Sequence, residues 1–323
     1  MKKVTKIMGL CAVLALSFMS CKKNEEKATL SFKATIEQPT CNDKTYIEYV
    51  PGPVPEQDQY IVRWNSGDRA RVFKKDGSSA DFETRDEGAT TTATFYKIDQ
   101  GDFPSSEDGY AVFYPADFAI KDGNKVRLTF RKDQIYKEGG IETNTFPMAA
   151  AGPDFTFNFS SPCGILKVPL YSEGSSEITV KKIELRDNHE ANPIAGTLNV
   201  GLNQFVEGYT YNNINIDILT FPQMFFEKTI TLYCPEGGIT LSPDNAKDFY
   251  FVVPTYPDKY TNTFNPFSPY TQVFAEGFNI TMYDMNDEPI MTQRTPASSK
   301  TDYTMKAQTI LRMAPLEVSY QNN

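Results

Sequence analysis

Histidine and tryptophan occur once each in the 323 residues, as His189 and Trp64, and cysteine only five times. The lone histidine, in the loop-like stretch LRDNHEANP, has no second histidine or cysteine beside it, so neither a zinc centre nor a serine–histidine pair can be built around it. The motifs G-x-S-x-G and H-E-x-x-H and the glycine-rich phosphate loop are missing as well. Widely spaced cysteines without a C-x-x-C pair exclude a zinc ribbon and a disulfide framework. Positive charge is also short. With 32 basic against 41 acidic residues the formal charge is −9, which excludes nucleic acid as a partner because that affinity comes from clustered Lys and Arg. Two carboxyls about 5 to 10 Å apart can cleave glycosides, but 41 acids guarantee chance pairs, so their number decides nothing. The clusters PDNAKD (243–248) and DMNDE (284–288) lack the register of a calcium loop and read as solvated turns. The protein is therefore expected to be a non-enzyme with no catalytic residue, metal or cofactor.

Helical periodicity is the next absence. Its best stretch, 129–138, is interrupted by β-favouring residues and stops at Gly139-Gly140, and no longer unit repeats as in a solenoid or propeller. A period of two takes its place. Leu30, Phe32, Ala34 and Ile36 alternate with polar residues, which puts one face of a strand on a core. Similar runs follow in YIVRW (60–64), TTATFYKI (91–98), GYAVFYP (109–115), KVRLTF (125–130), DFTFNF (154–159), GILKVPLY (164–171), ITVKKIEL (178–185), GTLNV (196–200), KTITLYC (228–234), DFYFVVP (248–254), GFNITMYD (277–284) and LEVSY (316–320). Turn signals such as Asp76-Gly77, Asp108-Gly109, Asp122-Gly123-Asn124 and Gly237-Gly238 separate them. Many short strands without helices between them predict an all-β chain of sandwich type.

The apolar run Ile7 to Phe18, after Lys2, Lys3 and Lys6, is too short to span a bilayer comfortably and reads as a signal sequence over 1–20. It ends in LSFMSC at Cys21, and a small residue before a cysteine where the chain turns polar resembles a bacterial lipobox. Cleavage there would leave Cys21 carrying acyl chains of the palmitate kind, each buried methylene adding about 0.8 kcal/mol of attachment to the membrane. An ordinary signal peptide with a chance cysteine is the competing reading. Residues 21–27 form a charged tether. After cleavage and lipidation three thiols remain, Cys41, Cys163 and Cys234, enough for at most one bridge; whether Cys163 and Cys234 pair is open, as is a free Cys41.

A chain of this length predicts two domains. The small-residue stretch MAAAGP (148–153) divides it into 28–152 and 153–323. Within the first, VRWNSGDRARVF (62–73) reads as a hairpin: Val62 and Trp64 share a face, Ile61 and Arg63 the other, Asn65 to Asp68 form the turn with Gly67 at positive φ, and Trp64 enters the core. Within the second, Tyr256, Tyr260, Phe264, Phe267, Tyr270 and Phe274 populate a long loop rich in Pro, Asn, Ser and Thr. Rings beside amides can stack on sugars or anchor a protein contact, or fold back as a cap.

The order of SFMSC, ATLSFKATIEQ (28–38), VRWNSGDRARVF, GYAVFYPA (109–116), PMAAAGPDFTFNFSSPCGILKVPL (147–170), VKKIELRDNHEANPIAGTLNV (180–200) and FYFVVP (249–254) resembles the fimbrillin family, the Mfa-like and FimA-like lipoproteins of Bacteroidales type V pili. The resemblance implies two tandem transthyretin-like β-sandwich domains, an outer-membrane lipoprotein at the cell surface, and a role as subunit, anchor, tip or accessory component of an adhesive fimbria. Its partners would be other fimbrillin-type subunits and a host or bacterial receptor or glycan. In such pili the first strand is removed by an Arg- or Lys-specific protease and a neighbour's strand replaces it. Leu30, Phe32, Ala34 and Ile36 then correspond to the displaced strand, and Leu316, Val318 and Tyr320 of APLEVSYQNN to the donor. Lys44 is the only basic residue in the first loop, the first arginine being Arg63, so an anchored or accessory subunit stands beside a polymerising one. The alternative function is a surface glycan-binding lipoprotein that uses the 256–274 loop.

Overall fold

The computed structural model describes residues 30–36, 49–50, 59–60, 62–74, 76–106, 109–122, 125–161, 163–174, 177–189, 194–201, 226–254, 274, 276–295, 305 and 308–320. The signal sequence, Cys21, the tether, Cys41, Lys44 and the loop residues Tyr256, Tyr260, Phe264, Phe267 and Tyr270 lie outside them. The chain is all-β: strands, numbered along the chain, and two single 3-10 turns make up its regular structure, with no α-helix among the described residues. None of the described residues forms a helix long and apolar enough to cross a membrane.

Seven strands build the first sheet: β1 (Ser31–Ile36), β4 (Arg69–Lys74), β5 (Ser79–Thr84), β6 (Thr92–Lys97), β7 (Tyr110–Tyr114), β12 (Met148–Gly152) and β13 (Thr156–Phe159). Their order is β12-β7-β4-β5-β6-β1-β13. Only the β1–β13 pair is parallel. Past β13, Ser160 pairs with Ala149 of β12 through bonds of 2.9 and 3.0 Å, which closes the sheet on itself and leaves no free edge there. A second sheet orders β11 (Gly140–Ile141), β10 (Asp133–Lys137), β19 (Thr229–Tyr233), β16 (Lys182–Asp187), β22 (Phe278–Tyr283) and β23 (Pro289–Arg294) in that sequence.

Between them stands a wall. β14 (Cys163–Ser172) pairs with β21 (Lys247–Pro254) on one side, and with β24 (Ile310–Arg312) and β25 (Leu316–Val318) on the other. Its side chains alternate between two cores. Cys163, Ile165, Tyr250 and Val252 join the cluster inside the first sheet, while Leu166, Val168, Leu170, Phe249, Phe251 and Val253 join the cluster facing β16, β19 and β22. The second cluster is a sandwich interior, fed from the facing sheet by Ile183, Leu185, Ile230, Leu232, Ile280 and Met282. Because both of its faces are covered, β14 reads in the sequence as a nearly unbroken apolar run. Smaller sheets pair β15 (Ile178–Val180) with β20 (Ile239–Leu241) and β2 (Tyr49–Val50) with β3 (Gln59–Tyr60), and order β18 (Phe226–Glu227), β17 (Ala195–Gly201), β9 (Lys125–Phe130) and β8 (Ala119–Asp122). Strands from 119–141 thus pair with strands from 195–233, and β13, beyond the division expected at 152, belongs to the first sheet.

Three readings from sequence need correction. The turn Asn65 to Asp68 forms, with Asp68 N–H donating to the Asn65 carbonyl at 3.1 Å and Gly67 at φ +86°, but it joins no hairpin. Trp64 makes an isolated bridge with Thr90, whereas β4 after the turn pairs with β5 and β7. The separator MAAAG is itself strand β12, most of it buried. Alanine's weak β-propensity hid it, yet a row of methyl groups lets β12 pack closely on its neighbours. ITVKKIEL divides into β15 and β16 around Lys181, and the two halves enter different sheets.

Candidate functional site

Phe32, Ala34 and Ile36 of β1 point into the first core, and β1 lies between β6 and β13 rather than at an edge. Lys33 N–H donates to the Phe155 carbonyl (3.1 Å), Ile36 N–H to Thr91 (2.9 Å), and Lys97 N–H to the Leu30 carbonyl (2.9 Å). The Phe32 ring stacks on Phe95 at 5.0 Å with an interplanar angle of 1°, and meets Phe82 at 5.0 Å and Phe157 edge-on at 5.2 Å. Leu30 packs against the same cluster. The next strand of this sheet along the chain is β4, so β1 holds its place by pairing and side-chain packing. Taking β1 out would expose a slot floored by Phe82, Phe95 and Phe157 and bordered by the main-chain groups of β6 and β13.

The C-terminal tail forms the second part. β24 pairs with Ile165 to Lys167 and β25 with Leu170 to Ser172, both parallel to β14. One extra residue on the tail side, in the Met313 to Pro315 stretch, separates the two ladders; proline has no N–H to offer there. Val318 is buried, Leu316 is half-buried on the second core, and Tyr320, past the strand end, is 56% exposed. The tail is therefore an intramolecular edge strand of the wall in this structure.

A side chain invisible to pattern reading supports the wall from its other border. Gln134 of β10, 2% exposed, donates Nε2–H to the Val252 carbonyl at 2.8 Å and accepts the Val252 N–H on Oε1 at 2.9 Å, pairing with β21 as a strand would. Trp64 is 1% exposed, with Phe95, Tyr114 and Phe159 edge-on to it. The turn beside it is tied to β7 by Asp68, which accepts from Asn65 N–H (2.8 Å) and from the Tyr114 hydroxyl (3.0 Å). Burial holds the Asp68 carboxyl above its ordinary value and the Tyr114 phenol well above its own.

At the C-terminal end of the aromatic loop, Phe274 is buried at φ +66° against Phe278, so this ring folds inward. Asp187 lies beneath it. Its Oδ1 accepts the His189 N–H at 2.8 Å, the Phe274 backbone also bonds the carboxylate, and Oδ2 is buried with no hydrogen-bond partner. The His189 ring stands 3.4 Å from Glu276. Burial pushes the Asp187 carboxyl up to about 6, above the 3.8 of a solvated one. The unfolded chain thus releases a proton that the native state keeps between about pH 4 and pH 6. The associated stability is complete below about pH 4 and lost as pH rises through 6. Relative to Asp187→Asn, the natural protein should lose about 2–3 kcal/mol between pH 4 and pH 7, read as the difference in urea midpoints. A pH-independent difference would show that Asp187 ionises normally.

Cys163 and Cys234 are free thiols, so no bridge joins them. Burial raises both, Cys234 to about 12, leaving them unreactive near neutral pH. The acidic turn at 284–288 is satisfied internally: Asp284 accepts the N–H groups of Asn286 (2.8 Å) and Glu288 (2.9 Å), and Lys181 pairs with Asp287 at 2.6 Å. Among the described residues no group of three His, Cys, Asp or Glu side chains is placed to hold a metal ion.

Fold and site define a class: an all-β protein in which two cores share one wall, with one strand buried in a closed sheet and a terminal strand along the wall's edge. No family model and no curated protein matches the chain. Among solved structures it is similar to a candidate cell adhesion protein of Bacteroides ovatus, at 11% identity over 90% of this chain and 92% of the other, with a TM-score of 0.44. It is also similar to a candidate cell adhesion protein of Bacteroides uniformis (11% identity, 87% and 94% covered, TM-score 0.42). A fimbrial protein of Bacteroides ovatus gives 11% identity and a TM-score of 0.35 over 91% of this chain and 51% of that one.

Proposed function

We propose that this protein is a non-enzymatic component of an adhesive surface fibre, brought to the outer membrane on lipidated Cys21 and joined to its neighbours by exchange of β-strands, a cut in the segment containing Lys44 releasing β1 together with Cys21. The sequence resemblance to fimbrillins motivates the reading. The observation that carries it is the position of β1, a single strand that fills an otherwise continuous sheet and is reached along the chain only through the segment containing Lys44. Exchange asks little energetically if the incoming strand repeats the outgoing one. Each buried apolar side chain contributes roughly 1.5–3 kcal/mol, and the ladder hydrogen bonds are restored in kind. A tail with Leu316 and Val318 at alternate positions offers the required pattern, with Tyr320 continuing it. The fibre would assemble when β1 is removed and a neighbour's tail leaves β14 to occupy the vacated slot.

The test compares the chain from residue 21 with and without residues 28–38, each mixed with a peptide of residues 306–323. Capture of the peptide, or growth of fibres, only by the shortened chain is the expected result. A soluble, folded, shortened chain that never binds the peptide would sink the strand-exchange mechanism.

A further inference from the structure

The second sheet has one face in the sandwich core; its other face carries three rows of side chains, each running across the strands. Paired residues place Ile135, Tyr233, Lys182 and Tyr283 in one row, Asp133, Thr231, Glu184, Thr281 and Thr292 in the next, and Thr229, Arg186, Asn279 and Arg294 in the third. The first row is apolar in an unusual position: Ile135 is 52% and Tyr233 43% exposed, side by side. Lys182 covers the Tyr283 ring at 4.4 Å and neutralises Glu184 (3.6 Å), which also accepts from the Tyr283 hydroxyl at 2.8 Å. The third row is cationic. Arg186 and Arg294 are exposed, two strands and therefore roughly 10 Å apart, and neither guanidinium has an ion-pair partner among the described residues, although acids outnumber bases in the chain. Asn279 sits between them with its side-chain oxygen buried and without a hydrogen-bond partner.

We propose that this face binds a uronic-acid-bearing glycan chain, with Tyr233 and Ile135 as the platform for a pyranose ring and Arg186 and Arg294 as the reader of its carboxylates. Charge complementarity selects this occupant. A protein surface would have to cover two arginines without an ion pair among the described residues and a row of threonines with Asp133 and Glu184, the latter already neutralised by Lys182, whereas an acidic sugar presents an apolar ring face, hydroxyl edges and a planar carboxylate that guanidinium binds in a fork. The apolar and cationic rows are four residues apart along β16, roughly 13 Å, a span that two or three sugar rings cover. The threonines between them, Thr231 and Thr281, supply hydroxyls along the way. This surface uses neither β1 nor the tail, so it stands whether or not subunits exchange strands.

The experiment measures binding of the chain from residue 21 to hyaluronan and to alginate fragments, with dextran as a neutral polymer and polyglutamate as a polyanion without sugar rings. Binding of at least one uronate polymer, weakened about tenfold or more in Arg186→Ala/Arg294→Ala and in Tyr233→Ala at unchanged melting temperature, is expected. Raising the salt should weaken the natural protein and the Tyr233 variant more than the double-arginine variant. Equal binding of dextran or of polyglutamate, no binding of either uronate polymer, or affinity untouched by both variants would each overturn the proposal.

Discussion

Trp64→Ala is expected to destabilise the protein by about 3–5 kcal/mol, the loss typical of a large aromatic removed from a packed core. The site has little capacity to collapse. Trp64 is held edge-on by Phe95 at 5.0 Å and by Tyr114 and Phe159 at 5.1 Å, and each of these rings belongs to a different strand of the closed sheet. Removing the indole leaves a cavity that those three strands cannot fill without breaking the Ala149–Ser160 closure or the β1–β13 pair. The indole N–H is buried without a partner, so Trp64→Phe, which discards that orphan donor while keeping a ring, should cost much less than alanine. Urea midpoints for the three proteins check the order. A folded Trp64→Ala protein of natural stability that had lost only a binding activity would return this residue to the functional surface.

The same tryptophan shows what the sequence could and could not disclose. Its burial, the turn after it and the positive φ of Gly67 follow from local rules, because a lone large ring beside an Asn-Ser-Gly-Asp turn has few other places to go. Its partner does not, because Thr90 is reached through the whole β4–β5 excursion and no periodicity encodes that. Strands that alternate, such as β1, β6 and β22, were legible, and β7, buried on both faces, still read as a strand from its apolar run; β12, made of alanines, did not. Of the candidate site, the inward face of β1 was readable from Phe32, Ala34 and Ile36, and the apolar positions of β25 from Leu316 and Val318. That β13 flanks β1, that β14 receives the tail, and that one wall serves two cores are facts of topology. The aromatic loop residues between 256 and 270 lie outside the described structure, and only Phe274 shows its place, inside the second core.

The wall makes the second large effect predictable. Gln134→Leu should cost about 4 kcal/mol even though leucine is apolar and of similar size. In the natural protein one amide satisfies both main-chain groups of Val252, on the border of β21 away from β14. Leucine can satisfy neither, and each buried main-chain group left without a partner costs about 1–3 kcal/mol. Gln134→Glu separates the two halves of the clasp. A carboxylate can still accept the Val252 N–H but meets the Val252 carbonyl oxygen with another acceptor, so it should be tolerated only when protonated, and its stability should rise as pH falls. Because Val252 faces the first core and its neighbours Phe251 and Val253 face the second, the loss should loosen both. Hydrogen exchange can follow this directly. Faster exchange at Val252, spreading to Leu166 across the β14–β21 ladder, is the expected pattern; a change confined to β10 would mean that the clasp closes a local turn and does not brace the wall.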